Sequence, residues 1–118
     1  MAIFAIDFDG TIVIDKYPGI GEPIPEAIDT IREIKKLGHK IIIWSCRVDP
    51  QLSEMRDFLI FNRIPFDHIN ENCPAKIAYY NNDTRKIGAD YYIDDKMIGT
   101  WTWQDVLSIA TKYANKKN

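Results

Sequence analysis

The chain of 118 residues has the length of a single globular domain. Hydrophobic residues make up 46% of it and charged residues 27%, which argues against an intrinsically disordered chain. The formal net charge of −2 excludes the broad cationic surface that binds nucleic acids non-specifically. We therefore expect one domain over residues 1–118.

Nothing in the sequence is typical of a membrane or secreted protein. No apolar run approaches the roughly 18 residues of a membrane helix. The first residues lack a basic region and reach an acidic residue at Asp7, unlike a signal peptide. Cys46 and Cys73 fit no zinc spacing and indicate reduced thiols. The sequence predicts a cytoplasmic protein with no membrane partner.

Apolar runs and helical periodicity alternate along the first half of the chain. The apolar run at residues 3–8 predicts a strand, and the spacing of apolar residues over 25–37 predicts a helix. Residues 40–45 predict a second strand, buried on both faces. Asp49 and Pro50 are typical of the start of a further helix.

The alternation continues to the end of the chain. Residues 66–69 and 89–93 predict two more strands, with a short helix between them that begins near Ala75. Residues 102–105 resemble a capping box that opens a last helix, and residues 116–118 are expected to fray. This order predicts an α/β domain with a three-layer Rossmann-like fold, a central parallel sheet with helices on both faces.

Acidic and hydroxyl side chains follow three of the predicted strands. Asp7 and Asp9 end the first strand, Ser45 ends the second, and Asp94 and Asp95 follow the last. Ligands of open α/β sheets bind at the carboxyl ends of the strands. Four carboxylates gathered there would repel one another and raise their pKa values, and a hard divalent cation such as Mg²⁺ relieves that repulsion.

Three segments resemble motifs of the haloacid dehalogenase-like (HAD) superfamily of phosphohydrolases. Residues 7–12, Asp-Phe-Asp-Gly-Thr-Ile, match its first motif, DxDGT. Residues 41–45 resemble its second motif, a hydrophobic strand that ends in Ser or Thr, and residues 91–95 its fourth, a hydrophobic strand that ends in paired acids. The resemblance spans residues 3 to about 103 and implies a HAD-like fold.

The resemblance also implies a role for each residue at the strand ends. Asp7 would be the nucleophile that forms an aspartyl-phosphate, and Asp9 the general acid and base. Mg²⁺ would be held by Asp7, the backbone carbonyl of Asp9 and Asp94, with Asp95 acting through water. Whether Asp94 or Asp95 binds the metal directly stays open. Ser45 would donate a hydrogen bond to the transferring phosphoryl group.

Three other residues near these motifs are candidates for contact with substrate. Gly10 permits a sharp turn of the backbone towards a phosphate, and Thr11 offers a hydroxyl donor. Arg47 forms a Ser-x-Arg arrangement with Ser45 that resembles the phosphatase part of polynucleotide kinase-phosphatases, where the Arg helps to bind phosphate. The alternative for Arg47 is an ordinary surface position in a loop.

The HAD superfamily has a basic residue as its third motif, and two lysines compete for that place. Lys76 follows the third predicted strand, so a helix could carry it to the carboxyl edge of the sheet. Lys86 lies just ahead of the fourth strand, which would carry it towards the opposite edge. Lys76 is therefore favoured as the catalytic lysine, and Lys86 is kept as a candidate for substrate binding.

The spacing of the motifs leaves room for a minimal flap and no cap domain. The flap, residues 12–21, includes Tyr17, Pro18 and Gly19 and is the candidate for substrate contact. Capless members of the superfamily tend to act on exposed phosphates of macromolecules or to borrow a lid from a neighbouring subunit. The expected partners are thus a phosphorylated substrate, a nucleic-acid end among the candidates, and a second copy of the chain.

The resemblance implies a Mg²⁺-dependent phosphatase that hydrolyses a small phosphomonoester or a terminal nucleic-acid phosphate. Two alternatives remain. A receiver-like phospho-aspartate switch has a similar set of residues, but Asp9, Gly10 and Thr11 favour turnover over storage. A catalytically weak Mg²⁺-binding scaffold is the third possibility. The lifetime of the phospho-aspartate distinguishes the phosphatase from the receiver-like switch.

Overall fold

The computed structural model describes residues 1–114, which form a four-stranded parallel sheet flanked by helices. No helix within these residues is long and apolar enough to cross a membrane. The tail at 116–118, which was expected to fray, lies outside the described residues. The elements in chain order are β1 (Ile3–Asp7), α1 (Ala27–Lys36), β2 (Lys40–Trp44), α2 (Gln51–Phe61), β3 (His68–Ile69), α3 (Pro74–Tyr80), β4 (Tyr91–Ile93) and α4 (Trp103–Ala114).

The sheet has the strand order β3-β2-β1-β4, and every neighbouring pair is parallel. β1 is central and pairs along its whole length with β2, from Ile3 opposite Lys40 to Asp7 opposite Trp44. On its other side, Ile6 lies opposite Ile93 of β4. The predicted α/β class and parallel three-layer arrangement are confirmed.

Each face of the sheet has its own hydrophobic core, because successive side chains of a strand point to opposite faces. One face packs against α1, α2 and α4, and the other against the residue that caps the start of α3 and the segment that precedes β4. The buried strand residues of the first face are Phe4, Ile6, Ile41, Ile43 and Ile93. Those of the second face are Ile3, Ala5 and Ile42, which pack against Cys73 and Ile87.

Helix α4 is held at its start and near its end. The predicted capping box is present: the Asp105 amide donates to Thr102 Oγ1 at 3.1 Å, and the Thr102 amide donates to Asp105 Oδ2 at 2.8 Å. His39 is fully buried, and its Nδ1 accepts from the Ala2 amide at 2.9 Å. Its Nε2 therefore donates to the Ala110 carbonyl, also at 2.9 Å. One imidazole thus joins the start of the chain to α4.

The two edge strands are shorter than predicted, because aspartate side chains take over hydrogen bonds at their starts. Asp67 Oδ2 accepts from the Ile41 amide at 2.8 Å, and Asp90 Oδ2 accepts from the Ile3 amide at 2.7 Å. Burial acts to raise the pKa of Asp67, but the ammonium of Lys35 at 2.7 Å and the Ile41 amide outweigh it, so this pKa is lowered. β3 and β4 therefore begin at residues 68 and 91, not at 66 and 89.

The flap is closed at its base by backbone hydrogen bonds. The Ile14 amide donates to the Glu22 carbonyl and the Ile24 amide to the Ile12 carbonyl, both at 2.8 Å. These bonds set the flap above the carboxyl end of β1. Between β1 and α1 the chain holds this flap, and between β2 and β3 it holds α2.

Candidate functional site

The carboxyl ends of β1, β2 and β4 open into one pocket with a volume of about 470 Å³. The register explains the arrangement: Asp7 ends β1 opposite Trp44, and Ser45 and Asp94 are the first residues after β2 and β4. Loops from three strands and from the flap supply the walls. The lining residues are Asp7, Asp9, Asp15, Tyr17, Ser45, Cys46, Arg47, Asp94, Asp95 and Lys96.

Three carboxylates converge on one side of this pocket. Asp7, Asp94 and Asp95 each offer an oxygen, and these oxygens all lie within 4.8 Å of one another. The only donors in the group are carboxylate oxygens, which suit a hard cation such as Mg²⁺ better than a thiolate- or imidazole-binding metal. Three of the four predicted carboxylates thus meet where Mg²⁺ would fit, without the Asp9 carboxylate, and either Asp94 or Asp95 could bind it directly.

The charge of Asp7 depends strongly on this environment. Burial raises its pKa from 3.8 to about 7, and the nearby Asp94 and Asp95 carboxylates add to the shift, against a hydrogen bond from Thr11. Burial also acts to raise the pKa of Asp95, but hydrogen bonds from Asp94 and Asp7 and the charge of Lys96 lower it overall. In the metal-free protein, Asp7 therefore holds a proton close to neutral pH.

Gly10 and Thr11, predicted to contact substrate, lie beside the acidic cluster and are not among the residues that line the pocket. Thr11 is buried, and its hydroxyl donates to Asp7 Oδ2 at 3.0 Å. Gly10 has a φ of +89°, and a Cβ at this position would lie 2.2 Å from Asp95 Oδ2. Glycine is needed there for its conformation and for the space that the Asp95 carboxylate occupies.

Arg47 is almost fully buried, and its guanidinium binds Asp9 through a two-point fork. Nε donates to Asp9 Oδ2 and Nη2 to Asp9 Oδ1, both at 2.8 Å. Nη2 also donates to the Gly19 carbonyl at 2.6 Å, and Nη1 donates to the carbonyls of Pro18 at 3.3 Å and Gln51 at 3.4 Å. The hydrogen bonds that Arg47 donates to the Asp9 carboxylate hold the pKa of Arg47 above its usual value.

Arg47, predicted to bind phosphate, has its donors engaged within the protein. A guanidinium has five N–H donors, and the five hydrogen bonds to Asp9, the flap and the start of α2 use all of them. The guanidinium carbon also lies 5.4 Å from the centroid of the Phe8 ring and 5.1 Å from that of Tyr17. Arg47 therefore fixes Asp9 and the flap to the rest of the domain.

Ser45 is held at the pocket by a residue that the sequence analysis did not identify. Asn70 Oδ1 accepts from the Ser45 amide at 2.8 Å, and Asn70 Nδ2 donates to the Ser45 carbonyl at 2.9 Å. Ser45 Oγ accepts from the Arg47 amide at 3.0 Å, which leaves the hydroxyl proton free to donate to a ligand. No local motif marks Asn70, because its partner lies 25 residues earlier.

The lysine at the pocket is Lys96, and neither predicted lysine lines it. Lys76 lies on α3, where its aliphatic chain packs beside Gly88. The Lys86 ammonium lies 5.4 Å from the centroid of the Tyr92 ring. Lys96 Nζ lies 3.5 Å from Asp95 Oδ2, and the Asp95 charge raises the pKa of Lys96. Its place directly after the paired acids was the signal that could have identified it.

One solved structure is closely similar to this domain. It is that of a conserved protein from Bacteroides thetaiotaomicron, which shares 32% sequence identity and superposes with a TM-score of 0.82. The match covers 94% of this chain and 90% of that one. The chain belongs to the same family as this conserved protein. No protein-family model and no curated protein matches this chain.

In this member of the family, we expect Gly21 to be essential for the closed flap. A Cβ at Gly21 would lie 2.0 Å from the Ile14 carbonyl oxygen, a backbone atom that can move only if the base of the flap opens. Gly21→Ala should lower the free energy of unfolding by about 1–3 kcal/mol and should speed cleavage within the flap during limited proteolysis.

The matched control for this substitution is Gly19→Ala. A Cβ at Gly19 would lie 3.5 Å from the Lys16 carbonyl oxygen, an ordinary contact. The free energy of unfolding of Gly19→Ala, measured by urea denaturation, should stay within about 0.5 kcal/mol of the wild-type value. Equal stability and equal protease resistance of the two variants would show that the flap does not close in this way.

Proposed function

We propose that this protein is a Mg²⁺-dependent phosphomonoester hydrolase that acts through an aspartyl-phosphate on Asp7. The observation that carries the proposal is the convergence of Asp7, Asp94 and Asp95 within 4.8 Å at the carboxyl edge of a parallel sheet. Ser45 and Asp9 line the same pocket, in the order that the resemblance to HAD phosphohydrolases implies.

Asp7, Asp94 and Asp95 would hold Mg²⁺, with the backbone carbonyl of Asp9 as the further ligand that the resemblance implies. The fit rests on donor chemistry, because oxygen ligands and several negative charges suit this cation. When bound, Mg²⁺ would offset the negative charge of the phosphoryl group and of the surrounding carboxylates. An anionic substrate could then approach an anionic nucleophile.

In the first step, Asp7 attacks the phosphorus of the substrate. Thr11 occupies Asp7 Oδ2, so Oδ1 is the oxygen left to form the new O–P bond. The bond between phosphorus and the leaving oxygen breaks, and its electron pair goes to the leaving oxygen, which takes a proton from Asp9, the general acid that the resemblance implies. The Ser45 hydroxyl donates to a phosphoryl oxygen and holds the group in line with Asp7.

In the second step, water hydrolyses the aspartyl-phosphate. The water oxygen forms a bond to phosphorus, the bond to Asp7 Oδ1 breaks, and the water passes a proton to Asp9. Two N–H groups of Arg47 donate to the Asp9 carboxylate, so they stabilise the base that remains once Asp9 has given its proton to the leaving oxygen. Inorganic phosphate leaves, and Asp7 is restored.

The free cysteines support a reducing compartment, and we place the protein in the cytoplasm. Cys46 is exposed at the pocket and Cys73 is buried, and neither forms a disulfide. Burial raises the pKa of the Cys73 thiol, which keeps it protonated and unreactive. Cys46 has no partner in a disulfide or in the acidic metal cluster.

The test is phosphate release from para-nitrophenyl phosphate, with Mg²⁺ and with EDTA. We expect many equivalents of phosphate per protein molecule with Mg²⁺, and release at the background rate with EDTA. Release of a single equivalent of para-nitrophenol, with the phosphoryl group retained on Asp7, would instead identify a phospho-aspartate switch. No Mg²⁺-dependent release from this or from other phosphomonoesters would contradict the proposed function.

A further inference from the structure

The outer part of the pocket is formed by the flap, and Tyr17 is its aromatic wall. The Tyr17 side chain lines the pocket and is half exposed, so part of its ring is free to contact a ligand. The ring is held in place, since the Arg47 guanidinium lies 5.1 Å from its centroid. The Tyr17 amide also donates to Asp15 Oδ1 at 3.1 Å, which fixes the turn that presents the ring.

The volume of the pocket leaves room for a leaving group beside Tyr17. The pocket encloses about 470 Å³. A phosphoryl group with its oxygens is comparable to a few water molecules, each of which has a share of about 30 Å³ of the liquid. The remaining space suits a compact organic group, and the Tyr17 ring offers it a flat surface for stacking.

The charges of the lining residues disfavour an anionic leaving group. Within residues 1–114, five carboxylates line the pocket, against the two cations Arg47 and Lys96. Arg47 is paired with Asp9 at 2.8 Å, and Lys96 lies 3.5 Å from Asp95. Three negative charges remain, and a bound Mg²⁺ would offset two of them. Asp15 belongs to the flap and adds its charge beside Tyr17. The lining residues thus offer a second phosphate no unpaired cation.

We infer that the substrate is a phosphomonoester whose leaving group is an uncharged aromatic ring that stacks on Tyr17, with Asp15 acting against anionic leaving groups. This inference rests on the proposed function and names the substrate class of the same site. It favours small aryl phosphates over the terminal phosphates of nucleic acids, whose neighbouring phosphates would meet Asp15.

The first experiment compares kcat/KM for phenyl phosphate with kcat/KM for acetyl phosphate, a substrate too small to stack on Tyr17. The ratio of the two values should fall about fivefold to tenfold in Tyr17→Ala, whereas Tyr17→Phe keeps the ring and should retain the wild-type ratio. Comparing ratios between variants cancels the intrinsic reactivity of each substrate. It also cancels any general loss of activity from a loosened flap.

The second experiment isolates charge with two substrates of the same shape, 4-carbamoylphenyl phosphate and 4-carboxyphenyl phosphate. The wild type should prefer the uncharged substrate, and Asp15→Asn should reduce that preference about threefold to fivefold, as expected for one charge near the surface. Asp57→Asn, a substitution on the exposed part of α2, is the matched control and should leave the preference unchanged.

The outcomes separate this inference from the proposed function. Turnover of both substrates with ratios that Tyr17→Ala and Asp15→Asn leave unchanged would overturn the inference and keep the phosphatase. A higher kcat/KM for a 3′-phosphorylated oligonucleotide than for phenyl phosphate would overturn it too. Hydrolysis of the oligonucleotide but not of phenyl phosphate would overturn the inference alone, whereas no Mg²⁺-dependent hydrolysis of any of these phosphate esters would end the proposed function and the inference together.

Discussion

Asp7→Asn is expected to lower kcat for phosphate release by at least about a thousandfold. Asparagine keeps the shape of the side chain and can still accept from Thr11, but its amide cannot form an aspartyl-phosphate. Asp57→Asn removes the same charge from the exposed surface of α2 and should retain full activity. Residual Mg²⁺-dependent turnover above about a tenth of the wild-type rate would exclude Asp7 as the nucleophile.

The same substitution should stabilise the metal-free protein at alkaline pH. The folded protein holds the Asp7 proton more tightly than the unfolded chain does, because the pKa is raised from 3.8 to about 7. The stability that this group contributes is therefore greatest below about pH 4 and is lost as the pH rises towards about 7. Asparagine does not titrate, so Asp7→Asn removes this loss.

Thermal unfolding in EDTA at pH 5 and pH 8 measures the effect. We expect Asp7→Asn to have a higher Tm than wild type at pH 8, and the difference to shrink at pH 5. Mg²⁺ should raise the Tm of the wild type at pH 8 more than that of the variant, because a ligand stabilises the state that binds it. Parallel pH profiles of the two proteins would contradict the buried acidic cluster.

Arg47→Ala is expected to lower the free energy of unfolding by about 3–5 kcal/mol, since it leaves a partly buried carboxylate and several carbonyls without their donors. The Asp9 side chain is 17% exposed and would lose both of its hydrogen bonds from Arg47. A domain of this size is stable by about 5–15 kcal/mol. The loss is therefore a large fraction of the total.

Two further variants show whether the charge or the geometry of Arg47 provides this stability. Arg47→Lys keeps the charge but cannot reproduce the fork to Asp9 or reach Pro18, Gly19 and Gln51 together, so most of the stability should still be lost. Arg85→Ala removes an exposed arginine and should change the stability by less than about 0.5 kcal/mol. Urea unfolding and proteolysis of the flap provide the measurements. Full stability of Arg47→Ala would show that the buried fork does not hold the flap.

Local patterns in the chain were sufficient to predict the class of fold and the position of the acidic cluster. Apolar runs and helical periods require only neighbouring residues, and the capping box of α4 is read from Thr102 and Asp105 alone. The carboxyl ends of parallel strands meet at one edge of a sheet. Asp7, Asp94 and Asp95 could therefore be brought together before any coordinates were known.

The tertiary structure alone decided what Arg47 binds and that Lys76 lies away from the pocket. Arg47 and Asp9 are 38 residues apart, and Arg47 meets the flap through carbonyl groups that every residue carries. Lys96 lines the pocket because it directly follows the paired acids at the end of β4, while Lys76 on α3 lies beside Gly88. Side-chain directions in loops follow from contacts between distant segments, and no local periodicity encodes those contacts.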